Sequence, residues 1–140
     1  MKSLSIKLGV ILIGLILFGY SEVWGADWKL YGRGEFGENY YDAESVNRLP
    51  NNIVSVWTRE ISSSKSVVDM VNRLGIAYSD LGYINTLWEV DCIGRKFRIV
   101  EMVCYSKSHS FIGSPSVSEA EWKFIIPDSM LESLSKAVCK

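Results

Sequence analysis

Apolar and polar residues alternate with a period of two in several stretches of this chain. They switch to a period near 3.6 in only two internal stretches, so strands dominate the expected secondary structure. The strongest alternation runs from Thr86 to Ser106. Two apolar-rich runs flank Gly94-Arg95, the pattern of a β-hairpin closed by a two-residue type II′ turn. That register sets Cys92 opposite Phe97, Asp91 opposite Arg98, Val90 opposite Ile99 and Trp88 opposite Glu101. Side chains alternate between the faces of a strand. One face would carry Trp88, Val90, Cys92, Phe97, Ile99, Val103 and Tyr105, and the other Leu87, Glu89, Asp91, Arg98, Val100, Met102 and Cys104. Both faces of the second strand are rich in apolar residues, which places it inside a sheet.

The remaining elements follow from the same periods. Asp27 to Tyr31 alternates and predicts a first strand with Trp28 and Leu30 inward. Gly32 to Gly37 is a turn leading to a second strand over Glu38 to Asp42. This turn formally matches G-x-G-x-x-G, but a dinucleotide site needs a buried parallel strand before it and a helix opening on it. The polar-aromatic run ENYYD follows instead, so the dinucleotide reading is rejected. Asp42 can cap one helical turn reaching Val46, and Leu49-Pro50-Asn51-Asn52 is a turn. Ile53 to Ile61 is a strand with apolar residues on both faces. Lys65 to Leu74 sets Val67, Val68, Met70, Val71 and Leu74 at helical spacing, and Gly75 ends that helix. Ile76 to Asn85 is ambiguous, with a turn at Ser79 to Gly82 and a strand from Tyr83. Ser106 to Glu121 is serine-rich and irregular.

Beyond Pro127, Ser129 and Glu132 have the spacing of a capping box. Met130, Leu131, Leu134, Ala137 and Val138 form the inner stripe of a terminal helix. At ~100° per residue, Cys139 falls about 140° from the centre of that stripe, so it reaches a sheet only where the helix ends just before it. The fold expected is α+β: an antiparallel sheet of five or six strands, a C-terminal helix packed on it, and one short additional helix.

Composition adds a destination. Lys2 and Lys7 precede an unbroken apolar and glycine run from Leu8 to Tyr20, and Val23-Trp24-Gly25 resembles a cleavage site. Residues 1–25 therefore read as a signal peptide and residues 26–140 as one domain. Thirteen residues at ~1.5 Å each span about 20 Å, short of a ~30 Å hydrocarbon core, so no stable membrane insertion is expected after cleavage. No cysteine follows the run, so no lipid anchor is expected, and the destination is the periplasm or the outer cell surface. Losing Lys2, Lys7 and Glu22 leaves 13 basic and 15 acidic residues. That balance recruits neither nucleic acid nor anionic lipid.

Three cysteines remain, and an oxidising compartment favours one disulfide with one thiol left over. In the hairpin register Cys92 and Cys104 would lie roughly 23 Å apart, beyond the ~7 Å Cα limit for a bridge. Cys139 is left to pair with Cys92 or with Cys104. The larger aromatic surface on the Cys92 face favours Cys92 and leaves Cys104 as the free thiol. Cys104 would be inert if buried and could link two chains in a homodimer if exposed.

Catalytic chemistry finds little support. His109 is the only histidine and lies in a polar loop without a nucleophile elbow. One histidine and cysteines expected to be oxidised leave too few ligands for zinc. Glu89 and Asp91 share a strand face at roughly 7 Å, a spacing known from glycosidase carboxylates, but opposite Arg98 they read as solvating charges. No catalytic, cofactor-binding or metal-binding residue is expected.

Several short motifs, in order, resemble one known family. They are Trp28, Tyr40-Tyr41-Asp42, Glu89-x-Asp91-Cys92, Arg95-Lys96-Phe97-Arg98, Trp122-x-x-Ile125-x-Pro127-x-Ser129, and a helix closing on Cys139. Together they resemble the surface-adhesin protein E family of small exported bacterial proteins. The resemblance implies an antiparallel sheet crossed by a helix, a Cys92–Cys139 bridge, and a non-enzymatic role at the cell surface or in the periplasm. In the family's name-giving kind of protein that role is adhesion to extracellular host proteins, which the resemblance makes the expectation here. An unidentified protein partner is thus expected. The alternative is a structural or assembly factor of the envelope working through protein contacts, for instance at a sheet edge.

Overall fold

The computed structural model describes residues 25–117 and 121–140. The apolar run read as an export signal lies outside the described residues. Eight strands form one antiparallel sheet: β1 (Trp28–Gly34), β2 (Gly37–Asp42), β3 (Asn47–Leu49), β4 (Ile53–Ser62), β5 (Leu81–Asp91), β6 (Lys96–Ser106), β7 (Phe111–Gly113) and β8 (Lys123–Phe124). Their order is β1-β2-β4-β5-β6-β7, with β3 also on β4 and β8 also on β6. Among the described residues two α-helices complete the α+β fold, α1 (Ser64–Leu74) and α2 (Met130–Val138).

One face of the sheet is covered. Val54 and Val56 on β4 pair with Val90 and Trp88 on β5, and the three valines are essentially without exposure. Leu134 and Val138 of α2 close over Val54 and Val56 as one apolar cluster. Met70 of α1 closes a second cluster with Leu81, Ile84 and Cys104. Burial of this kind contributes roughly 1.5–3 kcal/mol per side chain. Gly32 lets α2 reach β1, because a Cβ there would lie 2.1 Å from Met130 Sδ.

Both helices start as their sequences dictate. Ser63 Oγ accepts from Ser66 N at the start of α1, and Gly75 ends it. Ser129 Oγ accepts from Glu132 N, while Glu132 Oε2 accepts from Asp128 N at 2.6 Å. The capping box therefore reaches back one residue further than its usual partner. The helix stops at Val138, so Cys139 leaves the helical path. It is bonded there to Cys92, with 5.6 Å between the Cα atoms.

The hairpin differs from its expected register. Asp91 pairs with Lys96, Val90 with Phe97, Glu89 with Arg98 and Trp88 with Ile99. A four-residue loop, Cys92 to Arg95, replaces the two-residue turn. The reason is local: Asp91 Oδ1 accepts from Gly94 N at 2.8 Å, and Cys92 N donates to Asn52 O at 3.1 Å. Arg95, not Gly94, adopts the positive φ. Further along, a bulge at Val100 shifts the ladder by one, so Leu87 faces Glu101 and Tyr83 faces Tyr105. A one-residue slip exchanges faces. Met102 and Cys104 thereby join the covered face, and Val103 and Tyr105 cross to the open one.

A second bulge, at Tyr31, has the same effect on β1. Tyr31 packs against the α2 cluster, while Trp28 and Leu30 lie on the face away from the helices. The expectation of Trp28 and Leu30 inward is corrected accordingly. The irregular stretch after β6 contains a short strand, β7, and the strand after Gly75 begins at Leu81 rather than Tyr83.

Candidate functional site

Among the described residues no helix crosses the second face of the sheet. An aromatic row runs over it from β1 to β7. The Arg59 guanidinium on β4 lies 4.3 Å from the Trp28 ring on one side and 4.3 Å from the Tyr83 ring on the other. Tyr83 stacks on Tyr105 with centroids 5.0 Å apart and planes 17° from parallel. Tyr105 meets Phe111 edge-on at 6.4 Å, and Phe111 is 64% exposed. Each step follows from register: Arg59 faces Asn85 across β4 and β5, Tyr83 faces Tyr105 across β5 and β6, and Tyr105 faces Phe111 across β6 and β7.

Arg59 is held in place on three sides. Two rings enclose its plane, and its Nε donates to Asn85 Oδ1 at 2.9 Å. Among the described residues no carboxylate lies within ion-pair range of it. The other arginines on this face are matched. Arg98 meets Glu89 Oε2 at 2.6 Å and stacks under Trp122 at 4.6 Å. Arg33 Nε donates to Glu38 Oε1 at 2.9 Å. The Tyr40 hydroxyl donates to the other Glu38 oxygen, and with Arg33 it holds that carboxyl below its ordinary pKa.

The residues singled out for chemistry are dispersed by the fold. His109 sits beside the middle of the aromatic row, its Nδ1 3.3 Å from the Tyr83 hydroxyl. Glu89 is paired to Arg98, and Asp91 caps the hairpin loop, so the two carboxylates are engaged separately. Cys104 is fully buried, and burial pushes its thiol pKa up to about 11. Cys92 and Cys139 lie under the far end of the covered face, away from the aromatic row. Arg59 was not visible as a site residue. Its partners Trp28 and Tyr83 are distant in sequence, and only the strand order brings the three together.

The covered face has its own hollow, between α1 and the sheet, of about 280 Å³. Glu60 lines it, with its carboxyl pKa raised by burial and partly offset by a hydrogen bond from Ser66. Trp88 Nε1 donates to Thr58 Oγ1 at 2.7 Å in the same hollow.

The family model for surface-adhesin protein E matches residues 28–140. The chain belongs to that family. The surface-adhesin protein E chain is also similar to two solved structures of Haemophilus influenzae protein E. One shares 15% identity with a TM-score of 0.53 and covers 72% of this chain and 76% of that chain. The other, crystal form II, shares 12% identity with a TM-score of 0.51 and covers 72% and 79%. At those identities the likeness is one of fold. No curated protein matches the chain. Among the described residues of this family member, no helix is long and apolar enough to cross a membrane.

Proposed function

We propose that this chain is a non-enzymatic binding module, exported, processed after Gly25, and adhesive toward an extracellular protein through its open sheet face. The residues past Gly25 act as one domain at the outer surface or in the periplasm, without a lipid anchor. The observation that carries the reading is Arg59, stacked between Trp28 and Tyr83 with its Nη edge unmatched by any carboxylate among the described residues.

Binding hot spots are enriched in Trp, Tyr and Arg, grouped near the centre of a patch. Rigid aromatics also give up little conformational entropy on contact. A guanidinium already fixed in plane loses little more when it meets a bidentate acceptor. The partner that fits supplies an aspartate or glutamate to Arg59 and an apolar surface to Tyr105 and Phe111. Family membership supports the adhesive role, and the low identity to protein E leaves the partner to be found by its chemistry.

Peptide display against the processed chain tests this. Selected peptides should carry a carboxylate beside apolar residues and shift the amides of β4, β5 and β6 on the open face. Arg59→Gln should weaken them at least tenfold, while Arg98→Gln changes little. Peptides that lack acids, bind the covered face, or ignore Arg59→Gln would overturn the proposal.

A further inference from the structure

The covered face offers a second site that owes nothing to the open-face reading. We infer that the hollow between α1 and the sheet binds a small organic ammonium ion, with Glu60 as its counter-charge and Tyr31, Phe36 and Trp88 as its aromatic walls. Glu60 extends from β4 toward α1, opposite Ile84, and its Oε1 accepts from Ser66 Oγ at 3.1 Å. Among the described residues no cation stands within ion-pair range of it. The nearby guanidinium, Arg73, is matched by Asp69 at 2.8 Å. Glu60 is therefore the uncompensated charge of the hollow.

An unmatched carboxylate withdrawn from water is costly unless something pairs with it. The group that relieves it must be cationic and must tolerate apolar walls. A metal ion needs several strong ligands at once, and among the described residues no three His, Cys, Asp or Glu side chains gather to hold one; of the two carboxylates in this lining, Asp69 is already paired with Arg73. An organic ammonium suits both features, because aromatic faces attract it and a single carboxylate completes its neutralisation. The room suits only a small cation: about 280 Å³ is just under the ~300 Å³ lower end of drug-sized ligand sites. Polar anchors converge there as well, namely the Thr58 hydroxyl, which accepts from Trp88 Nε1, and the Ser66 hydroxyl.

The test uses choline and its uncharged isostere 3,3-dimethylbutan-1-ol, titrated into the isotopically labelled processed chain. Choline should shift the Trp88 indole N–H and the Thr58 and Ser66 amides saturably. The isostere should bind at least tenfold more weakly. Glu60→Gln keeps an acceptor for Ser66 and removes the charge, and it too should weaken choline at least tenfold. An unchanged Trp88 indole signal in the free variant checks that the hollow is intact. The isostere comparison needs no variant, so it decides the matter whatever the substitution does to folding. Absence of a saturable shift, equal binding of the isostere, or choline binding indifferent to Glu60→Gln in an intact hollow each overturns the inference.

Discussion

Removing the Cys92–Cys139 bridge is the most direct test of how this fold is held. The bridge spans 47 residues of sequence. In the chain-entropy picture, opening a loop of that length costs about 4 kcal/mol at 25 °C. A domain of this size carries an unfolding entropy near 0.24 kcal/mol/K, so the loss corresponds to a fall in Tm of about 16 °C. The double variant Cys92→Ser/Cys139→Ser, melted beside the oxidised protein by circular dichroism, measures it. Reduction of the unaltered chain should give the same fall, and Cys104→Ser should not.

The alternative outcome has a structural meaning. Leu134 and Val138 bury α2 on Val54 and Val56 without help from sulfur. Were the bridge only fastening the last turn, its loss would fray Cys139 and Lys140 and leave Tm within about 4 °C. Were α2 instead to peel away first, melting would split into two steps, with early amide exchange confined to residues 130–138. Either result refutes the view that the bridge acts mainly by restricting the unfolded chain.

Other predictions rest on single side chains. Leu134→Ala, at a site with no exposure, should cost about 3–5 kcal/mol in urea unfolding, comparable to losing the bridge. The buried Cys104 thiol, pushed up to about 11, should react with iodoacetamide at pH 8 far more slowly in the folded protein than in guanidinium. A dominant covalent dimer on non-reducing electrophoresis, abolished by Cys104→Ser, would contradict that burial. Glu60 has a folded pKa above its unfolded value, first because of burial. A raised acid gives its full stability below the unfolded pKa and loses it as pH rises through the folded one. Glu60→Gln should therefore raise Tm at pH 7, and the gain should vanish below about pH 4. A gain that persists unchanged in acid would show that repacking, and not charge, causes it.

Much of this architecture was legible in alternation. The β4 strand, the β5–β6 hairpin and both helices follow from apolar spacing, with Gly75 marking the end of α1 and the Ser129–Glu132 capping box the start of α2. What alternation cannot show is a change of phase. Moving the turn by two residues preserves every face, so Trp88, Val90, Phe97 and Ile99 stay together whether the loop has two residues or four. The bulge at Val100 breaks that protection. Val100 and Met102 are both apolar, so nothing in the pattern marks the crossover that buries Cys104 and frees Tyr105. The bulge at Tyr31 is hidden in the same way, because Leu30 and Tyr31 are each plausible core residues. The open-face site is built from these two irregularities. Without them Tyr105 would lie beneath the helices and Tyr83 would have no ring to stack on.

The two faces also divide the energetics of the fold. Apolar burial falls into two clusters, one under α2 and one under α1, and the seam between them is polar. Thr58 and Thr86 are buried there, joined through a 3.4 Å bond from the Thr58 hydroxyl to the Thr86 carbonyl, with Trp88 donating to the first. Valine at either threonine would suit a purely structural layer, since a buried hydroxyl has to be matched before it costs nothing. Glu60 and Ser66 extend the seam toward solvent beside a hollow that the apolar clusters leave unfilled. A polar seam with room beside it weakens a core and equips a cleft. The bridge offsets that weakness from one end, by tying α2 to the loop at Cys92, where it leaves the hollow unobstructed and the opposite face bare.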